Sequence, residues 1–463
     1  MTIAATTARP APRRLTRPIS PWWASLVAGL LALSGTGSAT LNGDELATLS
    51  AAARSIDGLF ELSQNIDGHF LPYYLFMHFW VKAGTAELWL RLPSAIAIAV
   101  AAGFLGDLGR RLHSARAGLT AGVLLAVLPS VSYYGAFARP YAFAAAAVVV
   151  SFWALHRAKE SDRWVLYGVT VALVGCTHLF AVLVLPAHLV VGRLRALPAL
   201  AAGCVPAAAL AILGYGERHA ISWIPQKGPD VLLKFPKMAA GDMGVGLLLF
   251  AAAIAGVVLL VKRDSEWAGA LLGWLVLPPL LLLAVSHLVT PVYVDRYLFV
   301  TAPALALGAA LLVADRLWAA IALPVVAAAI AVPAHLDVRE SNGRFEDFPA
   351  AIAKITYRHG DAILYGQSPL RAGFEYYAPG KLPDDVLRLS SSPSPTGFGF
   401  PESTDVLTAI DARKRLWVVW RGARTAGPSL PVYKAATEAG FAPARTWHSA
   451  DLPGLTVSLL IRP

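Results

Sequence analysis

Residues 22–46 read WWASLVAGLLALSGTGSATLNGDEL and join a long apolar run to a polar turn with two adjacent carboxylates, Asp44 and Glu45. A run of this length and composition is typical of a membrane-spanning helix. Ionised side chains beside a bilayer core are costly, so their presence indicates function. The sequence therefore predicts a membrane helix that carries a pair of acids to the boundary between lipid and water. A general base for chemistry on a lipid-linked substrate is expected there.

The composition indicates a multi-pass membrane protein. Of the 463 residues, 56% are hydrophobic and 15% are charged, whereas soluble domains have about 25% charged residues. The net charge of +10 comes from short basic clusters between apolar runs, a pattern of membrane topology and not of nucleic-acid binding. Cys176 and Cys204 lie within apolar runs and are interpreted as small buried side chains.

Eleven membrane spans are predicted, at 22–41, 91–109, 117–134, 140–157, 164–177, 179–192, 196–214, 243–262, 267–286, 297–314 and 318–334. The stretch 164–192 is divided at Thr177–His178, and a single tilted helix is the alternative. With eleven spans, every basic cluster falls on one side, which the positive-inside rule assigns to the cytoplasm. These clusters lie at 13–17, 110–116, 157–163, 193–195, 262–263 and Arg316.

This topology divides the chain into three parts in a bacterial plasma membrane. Residues 1–21 form a cytoplasmic tail, 22–334 a transmembrane module, and 335–463 a soluble extracytoplasmic α/β domain. Within the module, the first outer loop, 42–90, is predicted to contain a helix on the membrane surface and an aromatic segment packed into the interface. The C-terminal domain shows no catalytic motif, so acceptor binding or capping is its expected role.

Polar residues of the outer side form the candidate site. A carboxylate base among arginines suits a phosphorylated donor and a hydroxyl acceptor, because arginine binds phosphate oxygens and a carboxylate can accept the hydroxyl proton. Arg91 is interpreted as a membrane anchor, Arg139 and His178 remain open between site and structure, and Asp107 is expected to pair with Arg110 or Arg111. The candidates for the substrate pocket are Asp67, Tyr133, Tyr134, His178 and Tyr297.

Several motifs together resemble the GT-C superfamily of glycosyltransferases that use polyprenyl-phosphate sugars. The most similar branch is the family 39 protein mannosyltransferases and aminoarabinose transferases, and the resemblance covers residues 22–315. The motifs, in chain order, are NGDELATL, GHFLPYYLFMHFW, ELWLRLPSAIAIAV, SYYGAFARPYAFA, THLF and DRYLFVTAPAL. The resemblance implies a polytopic helical GT-C fold with about 11 spans and a C-terminal α/β domain.

The resemblance also implies a reaction. The resemblance to this branch implies mannose as the sugar. The sugar would be transferred from a polyprenyl-phosphate donor to an acceptor hydroxyl on the outer face, with inversion of the configuration at its anomeric carbon. Asp44 would be the general base, and Glu45 would orient the acceptor or hold the loop. His69, Arg139 and Arg296 would bind the donor phosphate. The acceptor is left open between a protein, a glycan or lipid, and a secondary metabolite.

No cofactor is predicted, because the sequence has no dense carboxylate cluster of the kind that Mg²⁺ or Mn²⁺ prefers. The alternative is a divalent metal held by acids that converge in three dimensions, which would be Asp44, Glu45, Asp67 and Asp295. Two alternatives to the enzyme remain: a transporter or lipid flippase, and an inactive protein that only binds a lipid-linked sugar. Transporters often carry internal repeats and charges near the bilayer midplane. This chain shows no repeat and gathers its charges on one face, which favours the enzyme.

Overall fold

The computed structural model describes residues 20, 22–37, 39–449 and 454–463. Of the predicted tail 1–21, all but residue 20 lies outside the described residues. The membrane module contains fifteen described α-helices: α1 (Trp22–Leu33), α2 (Gly43–Ala52), α3 (Ile56–Ser63), α4 (Leu71–Trp80), α5 (Glu87–Leu112), α6 (Ala115–Ala126), α7 (Pro129–Gly135), α8 (Tyr141–Ser161), α9 (Val165–Thr177), α10 (His188–Gly216), α11 (Phe235–Ala240), α12 (Met243–Val261), α13 (Ser265–Leu288), α14 (Ala302–Val313) and α15 (Leu317–Asp337). Short 3₁₀ helices connect them at Gly68–Phe70, Val81–Ala83, Leu179–Ala187, Arg218–Ile221, Pro229–Lys234 and Asp295–Thr301.

The chain is a multi-pass membrane protein. Seven helical segments of the described residues are long and apolar enough to span a membrane, and two of these, Leu179–Gly216 and Asp295–Val313, join a 3₁₀ helix to the α-helix after it. The number is eight if α6 and α7, bent by 66° at their junction, form one span. Two predicted spans differ from the structure. The helix predicted over 22–41 ends at Leu33, where a turn rich in Ser, Gly and Thr begins. The helix predicted over 117–134 breaks before Pro129, because proline lacks the N–H that would continue the helix.

The predicted division at His178 is confirmed. Helix α9 ends at Thr177, and the following segment runs antiparallel to it, with the Tyr167 hydroxyl 2.9 Å from Nδ1 of His188. The chain turns again at Arg193, whose φ of 48° is not helical. Beyond this turn, Ala199 lies against Gly168 of α9. Two segments therefore replace a single helix over 164–192, as the charge pattern predicted, and the third corresponds to the span predicted at 196–214.

Three of the predicted basic clusters, at 110–116, 157–163 and 193–195, lie at one end of the module, where they share acidic partners. The predicted cluster at 13–17 lies outside the described residues. Asp107 accepts hydrogen bonds from Arg110 and Arg111, at 2.8 and 2.7 Å from their Nε atoms. In the same region Glu266 pairs with Lys159 and with Arg193. Clusters far apart in the sequence thus contact the same acidic side chains. The assignment of this end of the module to the cytoplasm stays a prediction.

The C-terminal domain lies at the opposite end and is built on a five-stranded sheet. The strands are β1 (Ala362–Tyr365), β2 (Asp384–Asp385), β3 (Arg415–Arg421), β4 (Ala442–His448) and β5 (Leu455–Ile461). Their order in the sheet is β2-β1-β3-β5-β4. Strand β1 is parallel to β2 and β3, whereas β5 is antiparallel to β3 and β4. The sequence predicts β1, β3 and β5 but neither β2 nor β4. The domain's helices are α16 (Phe348–Ile352), α17 (Arg371–Tyr377), α18 (Val406–Ile410) and α19 (Pro431–Glu438), with 3₁₀ helices at Ser368–Leu370 and Arg424–Ser429.

The first outer loop is held between the membrane module and this domain. The loop folds as α2, α3 and α4, where the sequence predicted a surface helix and an aromatic segment. Its apolar side chains share one core with the domain, and this core includes Leu46, Tyr74, Phe348, Phe374 and Trp417. Burial of apolar surface on both sides therefore fixes the start of α2, where Asp44 and Glu45 lie.

Candidate active site

The start of α2 is fixed by a capping box. The Asn42 side chain accepts a hydrogen bond from the Glu45 N–H at 3.1 Å, and the Glu45 carboxylate accepts from the Asn42 N–H at 3.4 Å. The C-terminal domain adds a second anchor, since the Gly43 N–H donates to Oε2 of Glu346 at 2.6 Å. A Cβ at position 43 would lie 2.3 Å from Nη2 of Arg421. Glycine therefore allows this close approach of the two parts.

Glu45 faces the protein interior. It is fully buried, and its two carboxylate oxygens accept hydrogen bonds from Nε and Nη2 of Arg91, each at 2.7 Å. The Ala138 N–H donates to Oε1 at 2.9 Å. Burial would raise the pKa of Glu45, but Arg91 and Arg344 outweigh it and the pKa is lowered.

These contacts correct the role predicted for Arg91 and favour one of the two roles predicted for Glu45. Arg91 was predicted as an interfacial anchor, yet it is wholly buried and forms an ion pair, because Glu45 is there to neutralise it. Glu45 lines neither of the two described cavities beside the site. Of its two predicted roles, holding the loop is the one that this geometry favours.

Asp44, one residue earlier, points the other way. Its side chain is 37% exposed and lies on the wall shared by the two cavities, with Oδ2 3.7 Å from Nη1 of Arg296. Burial would raise the pKa of Asp44, but Arg139, Arg296 and Arg421 together lower it. Asp44 is therefore ionised at neutral pH and available to accept a proton.

The first cavity, of about 450 Å³, contains the predicted phosphate ligands. Arg139 lines it with its guanidinium 4.4 Å from the Phe70 ring, and Nη1 donates to the Tyr74 hydroxyl at 2.8 Å. His69 lines it as well, and burial lowers the pKa of His69 to about 4, so this imidazole is neutral at neutral pH. The first cavity thus combines fixed positive charge with neutral donors.

Several buried polar atoms around the first cavity have no hydrogen-bond partner within the described residues. They are Nε of Arg139, Nε of Arg296, Nε2 of His69, Nε2 of His178 and the hydroxyl of Tyr141. Buried polar groups in folded proteins are nearly always paired. This concentration of unpaired nitrogen and oxygen atoms indicates a site for a ligand rich in oxygen atoms.

The second cavity, of about 730 Å³, lies on the other side of Asp44 and Arg296. Its wall is rich in aromatic side chains: Tyr133, Tyr134, Phe137, Trp223 and Tyr293. The two cavities meet at four residues, which are Asp44, Trp223, Ile224 and Arg296. A carboxylate at such a junction can contact two ligands at once.

The structure brings most of the predicted site residues together. Asp44, Asp67, His69, Arg139, Arg296 and Tyr297 line the first cavity, and Tyr133 and Tyr134 line the second. His178 stands behind Tyr297, with the two rings 4.7 Å apart, and is only 2% exposed. Glu45 and His178 are thus the two predicted residues that line neither cavity.

Other residues of the site were missed. Glu217 lines the first cavity and accepts the Gly68 N–H at 2.8 Å, and burial raises the pKa of Glu217 to about 7. Glu346 and Arg421 of the C-terminal domain form an ion pair beside Gly43. The position of Arg421 at the end of the buried strand β3 was an available signal, because strand ends commonly carry site residues.

Metal binding finds no support in the geometry. In the described ranges, no group of three or more His, Cys, Asp or Glu side chains is placed to hold a metal ion. Metal-independent chemistry stays a prediction.

Comparison with known proteins identifies the fold. The family model described as dolichyl-phosphate-mannose-protein mannosyltransferase matches residues 70–199. ArnT from Cupriavidus metallidurans superposes in its apo state with a TM-score of 0.60 and 14% identity, and bound to undecaprenyl phosphate with 0.58 and 15%. Each comparison covers 94% of this chain and 97% of ArnT. The arabinosyltransferase EmbB from Mycobacterium smegmatis gives 18% identity over 66% of this chain and 32% of EmbB, with a TM-score of 0.41. No curated protein matches the chain in sequence.

The chain therefore has the fold of ArnT, the GT-C fold that the resemblance in the sequence implies. The predicted fold class, a helical membrane module followed by a C-terminal α/β domain, is confirmed.

Proposed function

We propose that this protein is a membrane glycosyltransferase that moves a sugar from a polyprenyl phosphate to an acceptor hydroxyl, with inversion. One observation carries the proposal. The ionised carboxylate of Asp44 lies where two cavities meet, beside arginines whose buried Nε atoms are unpaired. Transfer of a sugar between two substrates needs a base that lies between two binding cavities, one of which has unpaired donors for an anion.

The chemistry follows from these positions. The acceptor oxygen attacks the anomeric carbon of the sugar while the bond from this carbon to the phosphate oxygen breaks. The acceptor proton passes to Asp44, which contributes roughly 10²–10⁴-fold for this type of catalysis. The departing polyprenyl phosphate gains one negative charge, and Arg139 and Arg296 stabilise it.

The first cavity suits the donor, because it contains Arg139 and neutral His69 together with apolar side chains that can contact a lipid. ArnT, which has this fold, was solved with undecaprenyl phosphate, and this supports a polyprenyl-phosphate donor. Mannose is the proposed sugar, on the description of the matching family model. Tyr297 would border the sugar, with His178 packed behind its ring, and Tyr133 and Tyr134 would border the acceptor.

The protein is proposed to lie in a bacterial plasma membrane with the site and C-terminal domain outside. The basic clusters gathered at the opposite end support this orientation, since basic clusters favour the cytoplasmic side. The reaction is proposed to need no metal or other cofactor.

The test is the exchange Asp44→Asn, assayed with radiolabelled polyprenyl-phosphate mannose in membrane vesicles of the native host, which supply the acceptor. We expect the transfer rate to fall about 10³-fold, while the Kd for undecaprenyl phosphate changes little. The matched control is Asp57→Asn, an exposed aspartate in the first turn of α3, which should transfer at the wild-type rate. Near-normal transfer by folded Asp44→Asn protein would overturn the assignment of the base.

A further inference from the structure

The second cavity has a group of lysines that the donor chemistry does not use. Lys227, Lys234 and Lys237 all line it, and they come from the segment between α10 and the end of α11. Lys227 is half-buried, while Lys234 and Lys237 are exposed. The proposed base therefore shares its second cavity with three primary ammonium groups.

These lysines lack acidic partners. Within the described ranges, none of the three forms an ion pair, although most other basic clusters of the chain contact Asp or Glu. The charged residues of the cavity wall are Lys227, Lys234, Lys237, Arg296, Asp44 and Asp295. Four basic groups thus face two acidic ones, and the cavity attracts anions.

The position of these three lysines in the wall of the second cavity distinguishes them from ordinary membrane anchors. The second cavity contacts Asp44, and the proton that Asp44 removes belongs to the acceptor, so the acceptor hydroxyl must reach this junction. Tyr133 and Trp223 offer apolar ring faces beside it. Lysines that only anchored the protein to lipid head groups would not need to line the cavity that contains the base.

We propose that the second cavity binds the acceptor, and that this acceptor is a hydroxyl compound with a phosphate or carboxylate group held by Lys227, Lys234 and Lys237. This inference rests on the proposed function and adds the chemical class of the second substrate. The anionic group could belong to a membrane lipid or to a soluble molecule, and the experiment separates these two sources.

The experiment measures ligand binding by the purified full-length protein in nanodiscs, with undecaprenyl phosphate added to saturation. One arm uses short-chain phosphatidylinositol with short-chain phosphatidylcholine as its zwitterionic counterpart. The other arm uses glucose 6-phosphate with glucose as its neutral counterpart. We expect at least one anionic probe to bind more tightly than its counterpart, and the arm that responds identifies the source.

Exchange of the three lysines for glutamine should weaken binding of the anionic probe about 30-fold, which is about 2 kcal/mol for three partly exposed ion pairs together. Exchange for arginine should preserve binding and shows that the charge matters. The matched control replaces three exposed lysines of the C-terminal domain, Lys381, Lys414 and Lys434, by glutamine and should leave the Kd unchanged.

Three results would overturn the inference. They are equal binding of charged and counterpart probes in both arms, equal weakening in the control variant, and a loss of undecaprenyl phosphate binding in the glutamine variant. The last result would assign the lysines to the donor. Failure of the proposed function has a different signature, since wild-type protein would then bind no undecaprenyl phosphate at all or Asp44→Asn would keep its transfer activity.

Discussion

Arginines at the two ends of the membrane module have opposite surroundings. At one end, Arg110 and Arg111 bind Asp107, and Arg263 lies 3.1 Å from Asp315. At the other end, Arg139 and Arg296 are near carboxylates at 3.5 and 3.7 Å, but their buried Nε atoms have no partner among the described residues. Arginines are thus paired at the first end, whereas at the second end Arg139 and Arg296 keep an unpaired nitrogen beside the fully paired Arg91.

This difference indicates that the arginines of the first end determine the membrane topology, whereas Arg139 and Arg296 at the other end serve the chemistry. Paired arginines at an exposed end contribute little free energy each and act mainly through the sign of their charge. Unpaired buried nitrogens have a cost that a bound anion would remove. A basic residue of this chain is thus interpreted from its hydrogen bonds and not from its type.

The largest expected effect is an all-or-none difference in cysteine labelling, which tests which end of the membrane module faces the outside of the cell. In a variant with Cys176 and Cys204 replaced by alanine, Lys434→Cys should react with a membrane-impermeant maleimide in intact cells. Lys262→Cys, exposed beside the basic clusters, should react only after permeabilisation, because basic clusters favour the cytoplasmic side. The reverse pattern would place the proposed reaction on the cytoplasmic face.

The next effect concerns the two neighbouring acids. Glu45→Gln removes the carboxylate that binds Arg91 at 2.7 Å and leaves only Glu87 at 4.0 Å, and breaking a buried ion pair typically costs about 3–5 kcal/mol. We expect thermal unfolding of the purified protein in detergent to show a much lower Tm. Asp44→Asn should lower the Tm far less, because the Asp44 carboxylate is partly exposed and 3.7 Å from Arg296.

The matched control for this comparison is Glu61→Gln, an exposed glutamate of α3 in the same loop. Its Tm should equal that of the wild type. A Tm for Glu45→Gln close to that of the control would show that the buried ion pair does not hold the loop.

The sequence was sufficient for most of the membrane module, because hydropathy and charge follow directly from residue type. The break at His178 could be predicted, since only a divided segment puts the basic clusters on one side. The end of α1 at Leu33 was missed, because residues 34–41 contain no charged side chain and were counted with the span, although their Ser, Gly and Thr residues favour a turn.

The candidate site was only half predictable. Asp44, Arg139 and Arg296 follow from motifs, but Asp44 and Glu45 differ only through partners distant in sequence. Arg91 lies 46 positions after Glu45, and no local pattern shows that the two pair. Glu346 and Arg421 reach Gly43 only because the C-terminal domain packs on the first outer loop, a contact that local periodicity does not encode.

The smallest expected effect tests the comparison of the two ends most directly. Arg296→Ala should raise the Kd for undecaprenyl phosphate and the donor KM about 10–100-fold, because hydrogen bonds to charged groups contribute about 1.5–3 kcal/mol. Arg110→Ala, which removes a paired arginine at the opposite end, should change neither by more than about twofold, as expected for an exposed ion pair. The acceptor KM of Arg296→Ala should rise less than the donor KM, since the phosphate has the charge that Arg296 neutralises. Equal increases of both constants would mean that Arg296 acts through the shape of the shared wall and not as a phosphate ligand.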